Sequence, residues 1–296
     1  MILAMALTPL TDGLSKSLTV GQTAFFVVFA RYFSAGVMAL ILAVVMRHPV
    51  EIPHHDRFGQ VWRTALMMGA MVAMISALSM VDLAKAVGGF LIAPVVASLI
   101  SVVLYRERMD TFRVIGSLLS FAGAYVILKP EGSLEIGTLL ALFGGVLLGS
   151  YLAATRRACT SGDAFSSLII QCLLGSALII PLAFWQGLPS LVWPEFAAIL
   201  GLGIVSAVCH FLTIAAYNRT DASVLAPFFY FNILFAIPVG YFWFGEIPGM
   251  MTLVGLGGIA LGGVIAMLSG TSYIYVFKYF FGNTRQFARK FLLKTG

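Results

Sequence analysis

Arg31 is the only charge in AFFVVFARYFSAGVMALILAVVM, residues 24–46. A charge at the centre of a lipid-crossing helix costs about 2.5–3.5 kcal/mol on insertion scales, so it needs a partner or a wet cavity. Asp12 is the nearest candidate in sequence. At 1.5 Å rise per residue, Arg31 lies about 13 Å below the start of its span, and Asp12 roughly 10 Å below the same end of the preceding, oppositely directed one. Two readings stand open: a structural ion pair, or a pair that borders a substrate path. Lys16, in the same TDGLSK segment as Asp12, is a further candidate substrate contact. His210 sits mid-span in SAVCHFLTIAAY. It either lines a cavity or makes a local helix-to-helix hydrogen bond. Gln171, Tyr217, Tyr230 and Asn232 share that alternative. With Phe228 and Phe231 they could line an amphipathic cavity suited to a molecule with apolar and polar parts.

Other residues point to conformational or capping roles. Pro94 and Pro227 each remove a backbone donor within a span, making a hinge, an exposed carbonyl or a static kink. Glu107 and Glu246 end equivalent spans. They could couple a proton, or complement the positive end of a helix dipole and accept from free amides. No catalytic constellation accompanies them: H-E-x-x-H, G-x-S-x-G and a Gly-rich phosphate loop followed by Lys are all missing from the sequence. No enzyme and no cofactor is expected.

These residues need elements that hold them in lipid. The 296 residues are 60% apolar and 10% charged, with a mean hydropathy of +0.99. Globular domains carry about 25% charged residues. Apolar runs of about 20 residues recur, each long enough to cross roughly 30 Å of hydrocarbon as a helix. They lack the period-2 alternation of a membrane β-barrel. The expected class is an all-α polytopic membrane protein. Ten spans are read near 1–18, 22–46, 62–80, 84–104, 112–129, 134–155, 164–184, 195–217, 222–244 and 250–269, the first taken as a span and not a cleaved signal peptide. With the N-terminus inside, fourteen of the eighteen Lys and Arg fall on the cytoplasmic side and three (Lys16, Lys85 and Lys129) outside. That asymmetry predicts an inner (plasma) membrane protein with both termini cytoplasmic. The net charge of +6 then reflects topology and anionic lipid, not nucleic acid.

An internal repeat appears at an offset of 139. Ala77, Asp82, Phe90, Glu107, Gly116 and Gly123 fall on Ala216, Asp221, Phe229, Glu246, Gly255 and Gly262. Five spans per repeat is odd, so the second copy inserts upside down, an architecture of secondary transporters with the site near the midplane. The segments that carry this pattern, VDLAKAVGGFLIAPVVASLISVVLYRERMDTFRVIGSLLSFAGAYVIL and AAYNRTDASVLAPFFYFNILFAIPVGYFWFGEIPGMMTLVGLGGIALGGVIAML, resemble the ends of two repeats of EamA-type transporters in the drug/metabolite transporter superfamily. Arg31–Phe33 is similar to the Arg-aromatic pair of the family's second span. The resemblance implies ten transmembrane helices in two inverted five-helix repeats, at 1–130 and 134–270. It also implies ATP-independent transport of small metabolites, often amino-acid-like. Uptake of a vitamin- or nucleoside-like compound is the rival within transport, and a non-transporting scaffold or receptor the rival outside it. The implied partners are a small-molecule substrate, the lipid bilayer and a possible coupling proton; a homodimer stays open.

Cys159, Cys172 and Cys209 have no metal-ligand spacing, and packing is their expected role. His48, His54, His55 and Asp56 read as a solvated loop, a metal site being the alternative. Residues 271–296 alternate aromatics with five cations and read as a basic amphipathic cytoplasmic tail lying on the inner leaflet. Gly145-x-x-x-Gly149 and Gly258-x-x-x-Gly262 are expected to let helices approach closely.

Overall fold

A computed structural model of the chain describes residues 1–45, 47, 49–50, 57–105, 111–128, 135–158, 164–217 and 226–267. Within them every regular element is helical. The order is α1 (Ile2–Leu18), α2 (Ala24–Val45), α3 (Arg57–Leu78), α4 (Leu83–Phe90), α5 (Ala93–Tyr105), α6 (Thr111–Leu128), α7 (Ile136–Ala158), α8 (Ala164–Ala183), α9 (Trp193–Tyr217), a 3-10 turn at Ala226–Tyr230, α10 (Phe231–Phe244) and α11 (Met250–Met267). Helix is the expected outcome for such apolar runs, because lipid offers no partner for backbone N–H and C=O groups. Four stretches, Ala24–Val45, Phe58–Leu78, Ile136–Thr155 and Trp193–Thr213, are each long and apolar enough to cross a membrane, and shorter apolar helices accompany them.

Two expected spans are interrupted. The run read as 84–104 breaks at Leu91–Ile92 into α4 and α5. Pro94 falls in the first turn of α5, where a missing N–H leaves no intrahelical bond unmade. The described part of the run read as 222–244 starts with the 3-10 turn containing Pro227 and passes into α10 at Phe231. Pro9, Pro181 and Pro238, by contrast, lie inside continuous helices.

Packing follows a reciprocal pattern. α6 lies against α11 and α2 against α8, while α1 packs on α9 and α10, and α7 packs on α3, α4 and α5. α2 also meets α9, and α8 meets α3. The α6–α11 contact depends on glycine. A Cβ on Gly123 would stand 2.5 Å from the Gly255 carbonyl oxygen, and one on Gly262 would collide with the Gly116 carbonyl. Gly145 and Gly149 make the same allowance for the broken α4–α5 segment, facing the Phe90 and Ala93 carbonyls respectively.

The Glu107 position, the His48–Asp56 cluster, Cys159 and the tail lie outside the described residues, as do the side chains of Tyr217 and Pro227. Among the described residues no group of His, Cys, Asp and Glu is placed to hold a metal ion.

Candidate functional site

The site starts on α1. Residues four apart share a helix face, so Thr8, Asp12 and Lys16 form one stripe. Asp12 is 4% exposed and Arg31 of α2 is 4% exposed. Arg31 Nη1 donates to Asp12 Oδ1 at 3.1 Å, and Nη2 donates to Thr11 Oγ1 at 2.9 Å. Depth arithmetic on the sequence brings this pair to one level, and the fold joins it.

Around the pair lies a cavity of about 90 Å³, above the roughly 10–15 Å³ that a water molecule needs. Asp12, Arg31, His210 and Asn232 all line it, with Thr8, Gln171 and Tyr151. Tyr151 Oη donates to Gln171 Oε1 at 3.1 Å. His210 stacks obliquely near Tyr32, their ring centroids 6.5 Å apart. Elements from both ends of the sequence therefore meet here: α1 to α4 on one side, α7 to α10 on the other. The Leu91–Ile92 break and the turn before α10 each send residues into it, among them Leu91, Ala93 and Phe229.

Part of the lining has no counterpart in the sequence reading. Met5, Met67, Met71 and Met74 form a thioether wall. Three of them recur at positions i, i+4 and i+7 of α3, a one-face signal hidden inside an apolar run where methionine reads as lipid-facing or packing.

Phe228 and Phe231 stack on each other and are not among the lining residues, and two further sequence candidates sit elsewhere. Tyr230 is buried against Gly263 of α11 and does not line the cavity. Lys16 stands one turn beyond Asp12, at the C-terminal end of α1. Its Nζ pairs with Glu246 Oε1 at 2.5 Å, donates to the Val81 carbonyl at 2.7 Å and lies 5.4 Å from the centre of the Phe244 ring. Glu246 Oε2 in turn accepts from the Leu83 amide at 2.7 Å. Leu83 is the first residue of α4, whose N-cap residue Asp82 makes no side-chain cap bond. The acid thus complements the N-terminus of α4 and not of the helix that follows it. Gly245 makes this reach possible: its φ of 66° is left-handed backbone that glycine adopts without a Cβ penalty.

These contacts join the C-terminal end of α1, the start of α4 and the end of α10. A second polar tie runs from Lys85 Nζ to Glu135 Oε2 at 2.9 Å. Gln22 Nε2 donates to Glu195 Oε1 at 3.2 Å and to the Ser190 carbonyl at 3.3 Å. A groove of about 470 Å³ lies beside Gln22, lined mainly by apolar residues such as Phe25, Phe26 and Trp185. None of the sequence-predicted residues faces it.

Comparison with known proteins follows the same outline. A solved crystal structure superposes with a TM-score of 0.68 over 90% of this chain and 95% of that one, at 20% identity, which supports the shared fold. The riboflavin transporter of Vibrio cholerae serotype O1 is 26% identical over 60% of this chain and 57% of its own length. The chain thus spans little more than half of that protein. An S-adenosylmethionine uptake transporter of Rickettsia bellii is 23% identical over 86% of this chain and 87% of its own. A probable terminal-alkyne amino-acid exporter of Streptantibioticus cattleyicolor is 27% identical over 59% and 60%. The EamA-like transporter family model matches twice, over residues 1–129 and 135–268. With the model covering nearly the whole helical bundle, the chain belongs to the EamA-like transporter family and is a polytopic membrane protein.

Proposed function

We propose that the protein is a secondary active transporter that moves a small organic metabolite across the inner membrane by alternating access. Its ten spans form two inverted five-span repeats, with both termini cytoplasmic. The observation that carries this reading is a small, mostly apolar cavity built from both halves of the chain with the Asp12–Arg31 pair in its wall; the Lys16–Glu246 contact one turn beyond Asp12 is its closure at one end in this reading. A volume of about 90 Å³ is below the 300–1,000 Å³ usual for ligand pockets. The walls therefore part to admit cargo, and a seal made of one ion pair is a reversible closure.

The helix pairings support the repeat. Exchanging α1 with α7, α2 with α8, α3 with α9, α4–α5 with the 3-10 turn and α10, and α6 with α11 turns the largest pairings into one another: α6–α11 and α2–α8 into themselves, α3–α7 into α1–α9, and α2–α9 into α3–α8. Ser120 and Ile259, which hydrogen-bond at 3.3 Å, are related by the same 139-residue offset. Such self-pairing is what a two-fold axis in the membrane plane produces. The substrate is amino-acid-like or, following the names of the relatives, a vitamin- or nucleoside-derived compound.

The test is flux in proteoliposomes without ATP, offered riboflavin, S-adenosylmethionine and L-phenylalanine in turn. Time-dependent accumulation of at least one, lost in Arg31→Ala, is expected. A folded protein that moves none of them would favour the scaffold or receptor reading.

A further inference from the structure

Two buried polar atoms that line the cavity have no partner: Arg31 Nε, a donor, and Asn232 Oδ1, an acceptor. Their residues are 4% and 6% exposed, too buried for bulk water to serve them. Native structures leave few such groups without a reason. One donor and one acceptor, both unmet in one cavity, match a ligand that brings an acceptor and a donor of its own.

Charge narrows the class. Among the described lining residues, Asp12 and Arg31 cancel each other across their 3.1 Å contact. The other ionisable side chains there are those of His210, Tyr151 and Cys209, types that are mainly uncharged at neutral pH by their reference values. A charged ligand would shed its water without gaining a counter-charge. Both terminal nitrogens of Arg31 are already engaged by Asp12 and Thr11, so Nε is the guanidinium nitrogen left without a partner.

The walls narrow it again. Met5, Met67, Met71 and Met74 stand with Phe90 and Phe229 around the cavity. Thioether sulfur makes favourable contacts with aromatic rings, and three rotatable bonds let methionine re-form around a body larger than the present space.

Resting on the transport reading above, we infer that the cavity selects an uncharged, ring-bearing solute of nucleoside type, with Arg31 Nε and Asn232 Oδ1 as its polar contacts, over carboxylate- or ammonium-bearing ones. The test uses the full chain in lipid nanodiscs and four probes: adenosine, adenosine monophosphate, 5′-amino-5′-deoxyadenosine and L-phenylalanine. Adenosine is expected to raise Tm by several degrees, with the other three shifting it little. Asn232→Ala should weaken adenosine binding about tenfold. Asn232→Asp, which gives the cavity a net negative charge, should move the preference to the 5′-amino compound. Equal or stronger stabilisation by a charged or zwitterionic probe, or no shift with adenosine, overturns the inference. If the proteoliposomes then carry L-phenylalanine, the transport reading stands and only the substrate class falls; if they carry nothing, both fall.

Discussion

Arg31 is held at two points, by Asp12 and Thr11, and that geometry governs what substitutions do. An ammonium is a compact charge on a flexible stem and cannot reproduce a planar fork bridging two acceptors. Arg31→Lys should therefore reach the membrane in near-normal amount while flux falls tenfold or more. Asp12→Ala leaves a buried guanidinium without its counter-charge, which costs about 3–5 kcal/mol, so abundance drops. Combining Asp12→Ala with Arg31→Ala should restore abundance but not flux; quantitative immunoblotting beside the transport assay checks both. Full transport by the double variant would make the pair structural only. This pair was legible in the sequence because its members are 19 residues apart on consecutive spans, so depth alone matched them. Lys16 was not legible in the same way. Its partner Glu246 is remote in sequence, and nothing local distinguishes a lysine that closes a seal from one that meets cargo.

Between elements, the same chemistry becomes mechanical. Lys16, Glu246 and the α4 amide form one connection among three helices, so losing either charge loosens all three. In a background freed of native cysteines, Met74→Cys places a thiol in the cavity lining. An impermeant thiol reagent added from the Lys16 side should label it slowly. Glu246→Gln should raise that rate several-fold, and Lys16→Glu with Glu246→Lys should bring it back down. An unchanged rate would remove the seal from the mechanism. The α6–α11 crossing makes a separate prediction. Gly123→Val forces a side chain onto the Gly255 backbone, and overpacking of this kind costs about 1–3 kcal/mol or more. It should lower Tm in detergent, whereas Gly257→Ala, with nothing within 4 Å, should leave Tm unchanged. Glycine spacing announced that crossing in the sequence. The break at Leu91–Ile92 gave no comparable sign, because the nearest breaker, Pro94, lies beyond it and is equally at home in a first turn.

For the molecule as a whole, helix positions were legible because charged and turn-forming residues bracket each apolar run. The thioether part of the cavity lining was not, since methionines from α1 and α3 converge only in three dimensions. The orientation is open to direct measurement. Reporters active only in the cytoplasm or only in the periplasm, fused after residues 50, 131, 160 and 190, should read in, out, in and out. The basic residues near 47–63, 106–113 and 156–157 favour that order. Agreement between the signals at 131 and 160 would break the inverted arrangement, because the first span of the second half would then not cross the membrane.

The two ion pairs of α1 also differ in when they can exist. Asp12 and Arg31 belong to one helical hairpin, and their charges can neutralise each other as soon as α2 has left the ribosome. Lys16 waits for Glu246, made 230 residues later. At about 5–20 residues per second of synthesis, that is a delay of roughly 10–50 s. During it, α1 sits in the membrane with its deep charge matched and its end charge bare. The lysine has no Glu246 to pair with in that interval, so this contact can close only when the last helices arrive.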